Sequence, residues 1–186
     1  MTTVLFSHAD CIITAADCGQ CSAMTPTAGV HQIQDGAILV RDGWIEAVGP
    51  ATEVPDRADE VIDAEGMLLF PGLINTHHHL YQTLTRALPG AQNAALFGWL
   101  RTLYPIWAHL TSDAVYISAK VGLAELLLSG CTTAVDHLYL YPNDVTLDDE
   151  IRAAQEIGIR FVATRGAMSR GESKGGLPPD HIVESE

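Results

Sequence analysis

Three consecutive histidines, His77, His78 and His79, follow the short apolar run Gly72-Leu73-Ile74-Asn75. Imidazole is not a favoured core group, so a cluster at the end of an apolar run points to a polar task. Along an extended strand, side chains i and i+2 lie on one side. His77 and His79 therefore converge, and His78 turns the other way. Two neutral imidazoles converging from one strand end suit a divalent metal, zinc or iron. A hydrogen-bonded histidine cluster is the competing explanation, and for a bare His-x-His it is the better one. The apolar strand directly before the cluster, with a β-rich segment upstream, favours ligation here.

The elements that would position this pair can be read on either side of it. Residues 1–70 read as β. "VLFSHADCIIT" is one long strand or a strand pair, and "QDGAILVRDGWIEAVG" is a hairpin turning at Asp42-Gly43. Two shorter strands fit "DEVIDAEGMLLFPG". From Pro71 the pattern changes. A helix is expected from about Leu80, and "NAALFGWLRTLYPIWAHL" reads as helical with a break at Pro105. The strongest helix follows, with Thr111 or Ser112 as cap and Val115, Ala119, Leu123, Leu126 and Leu127 on one face. Strand "CTTAVDH", helix "LDDEIRAAQEIG" and strand "IRFVATRG" then form a βαβ unit of a parallel sheet. Near the end, Asp180 is expected to cap a further helix, and the chain reads as one that stops inside it.

Composition narrows the partners. The chain has 186 residues, 47% hydrophobic, with 10 Lys+Arg against 23 Asp+Glu and a formal net charge of −13. Such a chain repels phosphate backbones, which argues against nucleic acid. No basic run suits an anionic membrane surface, and the apolar runs are far shorter than a membrane span. The N-terminus lacks a basic stretch and soon meets Asp10 and Asp17, unlike a signal peptide. A soluble, cytoplasmic protein is expected. Cys18 and Cys21 form a single C-x-x-C with no second pair, so loop cysteines without a role are preferred to a redox or zinc motif. Cys131 opens an apolar strand and reads as core.

"PGLINTHHH" resembles the metal-binding signature of the amidohydrolase superfamily, and "LLLSGCTTAVDH" is similar to the second barrel strand of its deaminase and chlorohydrolase branch. Within that branch "NTHHHLYQTLTRA", "DHLYLYPND" and "TRGAMSRGESKGGLPPD" look closest to the 8-oxoguanine deaminases, which are related to hydroxyatrazine aminohydrolases. The resemblance implies an α/β fold: a β-sandwich segment over residues 1–70, then over 71–186 the first part of a (β/α)8 barrel, with strands near 72–76, 131–136 and 159–164. A whole barrel needs about 250 residues, so the barrel would be incomplete in this chain. It also implies one divalent metal, Zn or possibly Fe, with His77 and His79 as its first two ligands. The other ligands, the general acid and the general base would lie beyond residue 186, and this stretch alone would be inactive.

The implied activity is hydrolytic deamination of an aminated heterocycle by a metal-activated water, 8-oxoguanine to urate plus ammonia first. A triazine hydrolase, another purine or pyrimidine deaminase, and a non-catalytic fragment of the fold are the alternatives. The full-length protein would be a homo-oligomer acting on a small molecule. Gln82 offers a donor and an acceptor for a purine's lactam edge, with a solvent-facing role equally weighted. Arg165, ending the third strand, faces an anionic or carbonyl group or else forms a salt bridge. Asp136 and His137 end the second strand and support the histidines from behind or simply cap the strand. Tyr81 and Trp99 are more readily core than stacking platforms.

Overall fold

The computed structural model describes residues 1–15 and 31–185, a mixed α/β chain. Cys18 and Cys21, and the small-residue loop that holds them, lie outside the described residues. Two compact units divide it, Met1–Pro71 and Gly72–Glu186.

The first unit is a five-stranded sheet of β1 (Thr3–Thr14), β2 (His31–Arg41), β3 (Trp44–Pro50), β4 (Glu60–Asp63) and β5 (Leu68–Leu69). The order is β3-β2-β1-β4, with β5 also on β1. β2 and β3 are antiparallel, joined where the sequence predicts: Asp42 and Gly43 both take positive φ, 48° and 84°. Two such residues make the turn whose twist matches a hairpin, and glycine tolerates it without a Cβ clash. β1 is one long strand, antiparallel to β2 and parallel to β4 and β5. Between Phe6 and Ala9 it carries an extra residue, with His8 at φ 57°. Such a bulge bends the strand. Leu5, Ala37, Leu39 and Val54 form one core cluster, and Ala9, Ile12, Ile33 and Ala64 another.

The second unit is a three-stranded parallel sheet, β6-β7-β8, of β6 (Leu73–Asn75), β7 (Cys131–Leu138) and β8 (Arg160–Arg165). Three α-helices lie between the strands in sequence: α1 (Leu96–Trp107), α2 (Ser112–Leu128) and α3 (Leu147–Ile157). Along β7, Ala134, Asp136 and Leu138 are buried, while His137 is exposed. Leu80, Ala119, Leu123, Ala134, Ala153, Ala154 and Ile159 pack as one cluster, so α2 and α3 cover that side of β7. Cys131 is in the core.

Four expectations are corrected. The histidines are not strand residues, since β6 ends at Asn75. The Asn75 side chain accepts the His77 N–H at 3.0 Å and takes a donor that a strand would give to its neighbour. The segment after His79 is a 3₁₀ helix, Leu80–Thr85, rather than an α-helix. α1 runs through Pro105, which lies in its last turn, where loss of one backbone donor does not break the turns before it. Asp180 begins only a single 3₁₀ turn; its carboxylate instead accepts from the Ser173 N–H and Oγ at 3.1 and 3.0 Å, closing the preceding loop on itself.

α2 is capped by Thr111, whose hydroxyl accepts the Ala114 N–H at 3.2 Å. Its inner face holds the 3₁₀ turn in place. Ser118 donates to the Leu80 carbonyl at 2.7 Å, and a Cβ on Gly122 would come within 2.8 Å of Leu80 Cδ2. The glycine is therefore needed for the close approach of the turn that follows the histidines.

Candidate metal centre

Asn75 ends β6 and its Asx bond sets the path of the next residues. His77 is exposed, His79 is partly buried, and their ring centroids are 5.1 Å apart, edge to face. His78 is half-buried on the α2 side. Its Nδ1 has no hydrogen-bond partner among the described residues, and burial holds its pKa below the ordinary value. The two outer histidines thus lie together and the middle one apart, although the backbone is not a strand.

His79 is oriented by its neighbour strand. Its Nδ1 lies 2.8 Å from the His137 carbonyl oxygen. A carbonyl only accepts, so Nδ1 carries the proton and the lone pair of the neutral ring is on Nε2. This is the arrangement that metal-ligating histidines use. The strands are locked further by the His137 N–H, which donates to the His78 carbonyl at 3.1 Å. Support of His79 therefore comes from the backbone of His137 and not from its imidazole. The donor set fits a zinc or similar ion. A catalytic zinc takes three protein ligands, and no group of three or more His, Cys, Asp and Glu side chains able to hold a metal exists among the described residues.

Around the pair stands an aromatic wall. The His79 ring is 5.3 Å from Tyr139, 5.6 Å from His137 and 6.3 Å from Tyr81. Gln82 Nε2 donates to the Tyr81 hydroxyl at 3.0 Å. The Tyr81 ring stands edge to face on Tyr139 at 5.5 Å, and burial drives the pKa of Tyr81 and Tyr104 upward, so these two phenols stay neutral. Tyr81 is fully buried and Trp99 packs on Trp107 at 5.3 Å, which makes both packing residues.

Arg165 is committed elsewhere. Its guanidinium pairs with Glu184 and sits 4.5 Å over the Tyr141 ring. The duller of the two expectations for Arg165, a salt bridge, is what the structure holds.

Asp136 is 1% exposed, and its Oδ1 accepts the Leu80 N–H at 2.6 Å. Its other neighbour is Glu150 of α3, 0% exposed, whose carboxyl oxygens meet no protein donor in good geometry. Burial pushes both carboxyls up, Glu150 to about 10, and the nearby Asp136 charge adds to the rise. Two ionised carboxylates have no donor between them; with Glu150 protonated, a hydrogen bond to Asp136 forms. The sequence reading missed Glu150. It hides in the acidic first turn "LDDE", where negative charge normally serves the helix dipole. Its spacing from Ala153 and Ala154 carried the signal, since all three fall on the buried face. Tyr139 was missed too; it follows His137 by two residues.

Comparison with known proteins agrees with this geometry. A family model described as the amidohydrolase family matches residues 68–185, and one described as a bacterial imidazolonepropionase-like composite domain matches residues 36–60. The chain is 48% identical over 152 residues to an 8-oxoguanine deaminase of Pseudomonas aeruginosa, covering 80% of this chain and 34% of that protein. It is 37% identical over an alignment of 187 residues to the hydroxydechloroatrazine ethylaminohydrolase of Pseudomonas sp. strain ADP, covering 87% and 39%. Among solved structures, the zinc complex of atrazine chlorohydrolase from Arthrobacter aurescens TC1 superposes with a TM-score of 0.83 at 32% identity, over 97% of this chain and 39% of that one. The chain thus spans between a third and two fifths of the length of these relatives. The amidohydrolase match takes in the paired histidines and every strand and helix of the second unit, and the chain belongs to the amidohydrolase family.

Proposed function

We propose that the full-length protein is a zinc-dependent aminohydrolase that converts 8-oxoguanine to urate and ammonia. The observation that carries this reading is the orientation of His79: its Nδ1–H donates to the His137 carbonyl oxygen, so Nε2 carries the lone pair, and the His77 ring centroid lies 5.1 Å away. The three parallel strands are the opening of a (β/α)8 barrel, whose active face lies at the C-terminal ends of the strands. His77, His79 and His137 all follow or end such strands. The five-stranded sheet is one layer of a β-sandwich, and its exposed Trp44, Ile45 and Val61 suit a second layer.

Zinc, when bound by His77 and His79 with further ligands, supplies acidity to a water so that it is nucleophilic near neutral pH. The remaining work of this chain is binding and exclusion. Tyr81, Tyr139 and Trp107 form a water-poor aromatic flank, in which burial keeps the Tyr81 hydroxyl neutral. Gln82 is oriented by its bond to Tyr81, which leaves its carbonyl oxygen to accept from a purine ring N–H. Substrate choice in favour of an oxopurine rests on the 48% identity to the Pseudomonas deaminase. A triazine substrate is the second reading, supported by the likeness to atrazine chlorohydrolase over nearly the whole chain.

Ammonia release by the zinc-loaded full-length protein tests these readings, with 8-oxoguanine, guanine, isocytosine and a hydroxytriazine in parallel. Turnover of 8-oxoguanine above the others is expected. Turnover of the triazine alone would reject the purine assignment, and ammonia from none of them would reject the substrate class.

A further inference from the structure

Beneath the histidine segment, and outside the metal centre, lies the buried carboxyl pair of Asp136 and Glu150. Asp136 is on β7 and Glu150 is in the first two turns of α3. Asp136 uses one oxygen to hold the Leu80 N–H at 2.6 Å, while its Oδ2 has no donor among the described groups. Leu80 directly follows His79. Its carbonyl is held from the other side by Ser118 and Thr83 hydroxyls, at 2.7 and 2.8 Å. The Asp136 carbonyl also accepts from the Thr164 hydroxyl at 2.6 Å, which ties β8 to the same point. A buried acceptor with an unfilled oxygen is costly unless something donates to it. The adjacent group able to do so is Glu150, itself without another donor of good geometry.

We propose that Glu150 is a positioning residue: a neutral carboxylic acid that donates its proton to Asp136 and, through the Asp136–Leu80 bond, fixes the turn carrying His79. The groups around the pair agree with one shared proton. The Asp149 charge acts on Glu150 to hold it neutral, while the Leu80 N–H donated to Asp136 favours its ionised form. At Glu150 the Tyr81 backbone N–H opposes this by favouring the ionised form, and burial outweighs it. Ionised Asp136 accepts at both oxygens, from Leu80 and from Glu150. Loss of the Glu150 proton leaves two buried like charges, and the Leu80 bond is the link that yields.

The test uses the full-length protein and the substitutions E150Q and E150L. A Gln amide keeps a donor for Asp136, and a Leu fills similar space without one. Infrared difference spectra of metal-free wild type against E150Q should show the carbonyl stretch of a protonated acid at neutral pH. Only carboxylate bands in that difference would overturn the proposal. Hydrogen exchange at the Leu80 amide should be close to wild type in E150Q and roughly tenfold faster or more in E150L. Equal exchange in the two folded variants would also overturn it. Circular dichroism verifies folding; if E150L does not fold, Glu150→Met replaces it in the same comparison. A third arm rests on the metal reading: zinc affinity, by chelator competition, should fall about tenfold in E150L and be rescued in E150Q. If zinc binds neither wild type nor variant, the metal reading fails, and the infrared and exchange results still decide the role of Glu150.

Discussion

At the scale of single residues, the histidine triple divides by environment and not by identity. His77 and His79 have their rings together and His79 has its Nδ1 satisfied, whereas His78 is half-buried against α2. In the full-length protein His77→Ala or His79→Ala should abolish retention of zinc through dialysis, and His78→Ala should keep measurable zinc by elemental analysis. Equal loss in all three would show that the pairing of the rings is irrelevant to binding. Gln82 makes a second residue-scale case. Removing one hydrogen bond from a polar site costs ~1–3 kcal/mol, roughly ten- to a hundredfold in kcat/KM. Gln82→Ala should lower kcat/KM for 8-oxoguanine by that factor with zinc content intact. An unchanged kcat/KM would return Gln82 to a structural partner of Tyr81.

At the scale of elements, α2 does most to place the site. Val115, Ala119 and Leu123 are fully buried on the face that meets the 3₁₀ turn and β7. Leu123→Ala should cost ~2–5 kcal/mol by urea unfolding, through lost burial and a residual cavity. The cavity would adjoin Leu80, so zinc affinity should weaken in the same variant. A stability loss below ~1 kcal/mol would mean that the helix collapses freely onto the turn. α3 is anchored at its start as well: Asp149 accepts the Thr146 N–H at 2.9 Å and the Ser112 hydroxyl at 2.5 Å, joining the beginnings of α2 and α3. That anchor holds Glu150 in register with Asp136.

At the scale of the whole molecule, one buried acid couples stability to pH. Glu150 is raised from 4.5 to about 10 in the folded chain. Between those values the folded form holds a proton that the unfolded form has released. Stability from this group is therefore complete below about 4.5 and is lost as pH rises toward about 10, by at most about 1.4 kcal/mol per pH unit. Wild type should lose stability relative to E150Q between pH 6 and pH 9, on the order of this slope, in urea titrations at several pH values. Parallel curves for the two proteins would mean that Glu150 is ionised when folded. No described helix is long and apolar enough to cross a membrane. The chain by itself should release no ammonia from any of the four substrates, because two histidines fall short of the three protein ligands of a catalytic zinc. Turnover by it would move the active site elsewhere.

Local chemistry made much of this legible from residues alone. Asp42-Gly43 carries its own turn geometry, Thr111 its own cap, and the alternation of apolar groups its own strands, because each depends on neighbours within a few positions. Strand parity predicts that His77 and His79 share a side, but parity is not what sets their rings 5.1 Å apart. The strand stops at Asn75, and an Asx bond with a β7 carbonyl produces the same pairing. Other features are non-local, and only the tertiary structure decided them. Glu150 meets Asp136 because α3 folds back on β7, which an acidic first turn gives no reason to expect. Arg165 is bound to Glu184, 19 residues away, and Asp180 closes a loop on Ser173 where a helix cap was predicted. The sequence by itself determined which groups can do chemistry and which short elements bear them. The partner of each buried polar group was settled by packing, since a desolvated carboxyl or imidazole takes its donor from whatever the fold brings within reach.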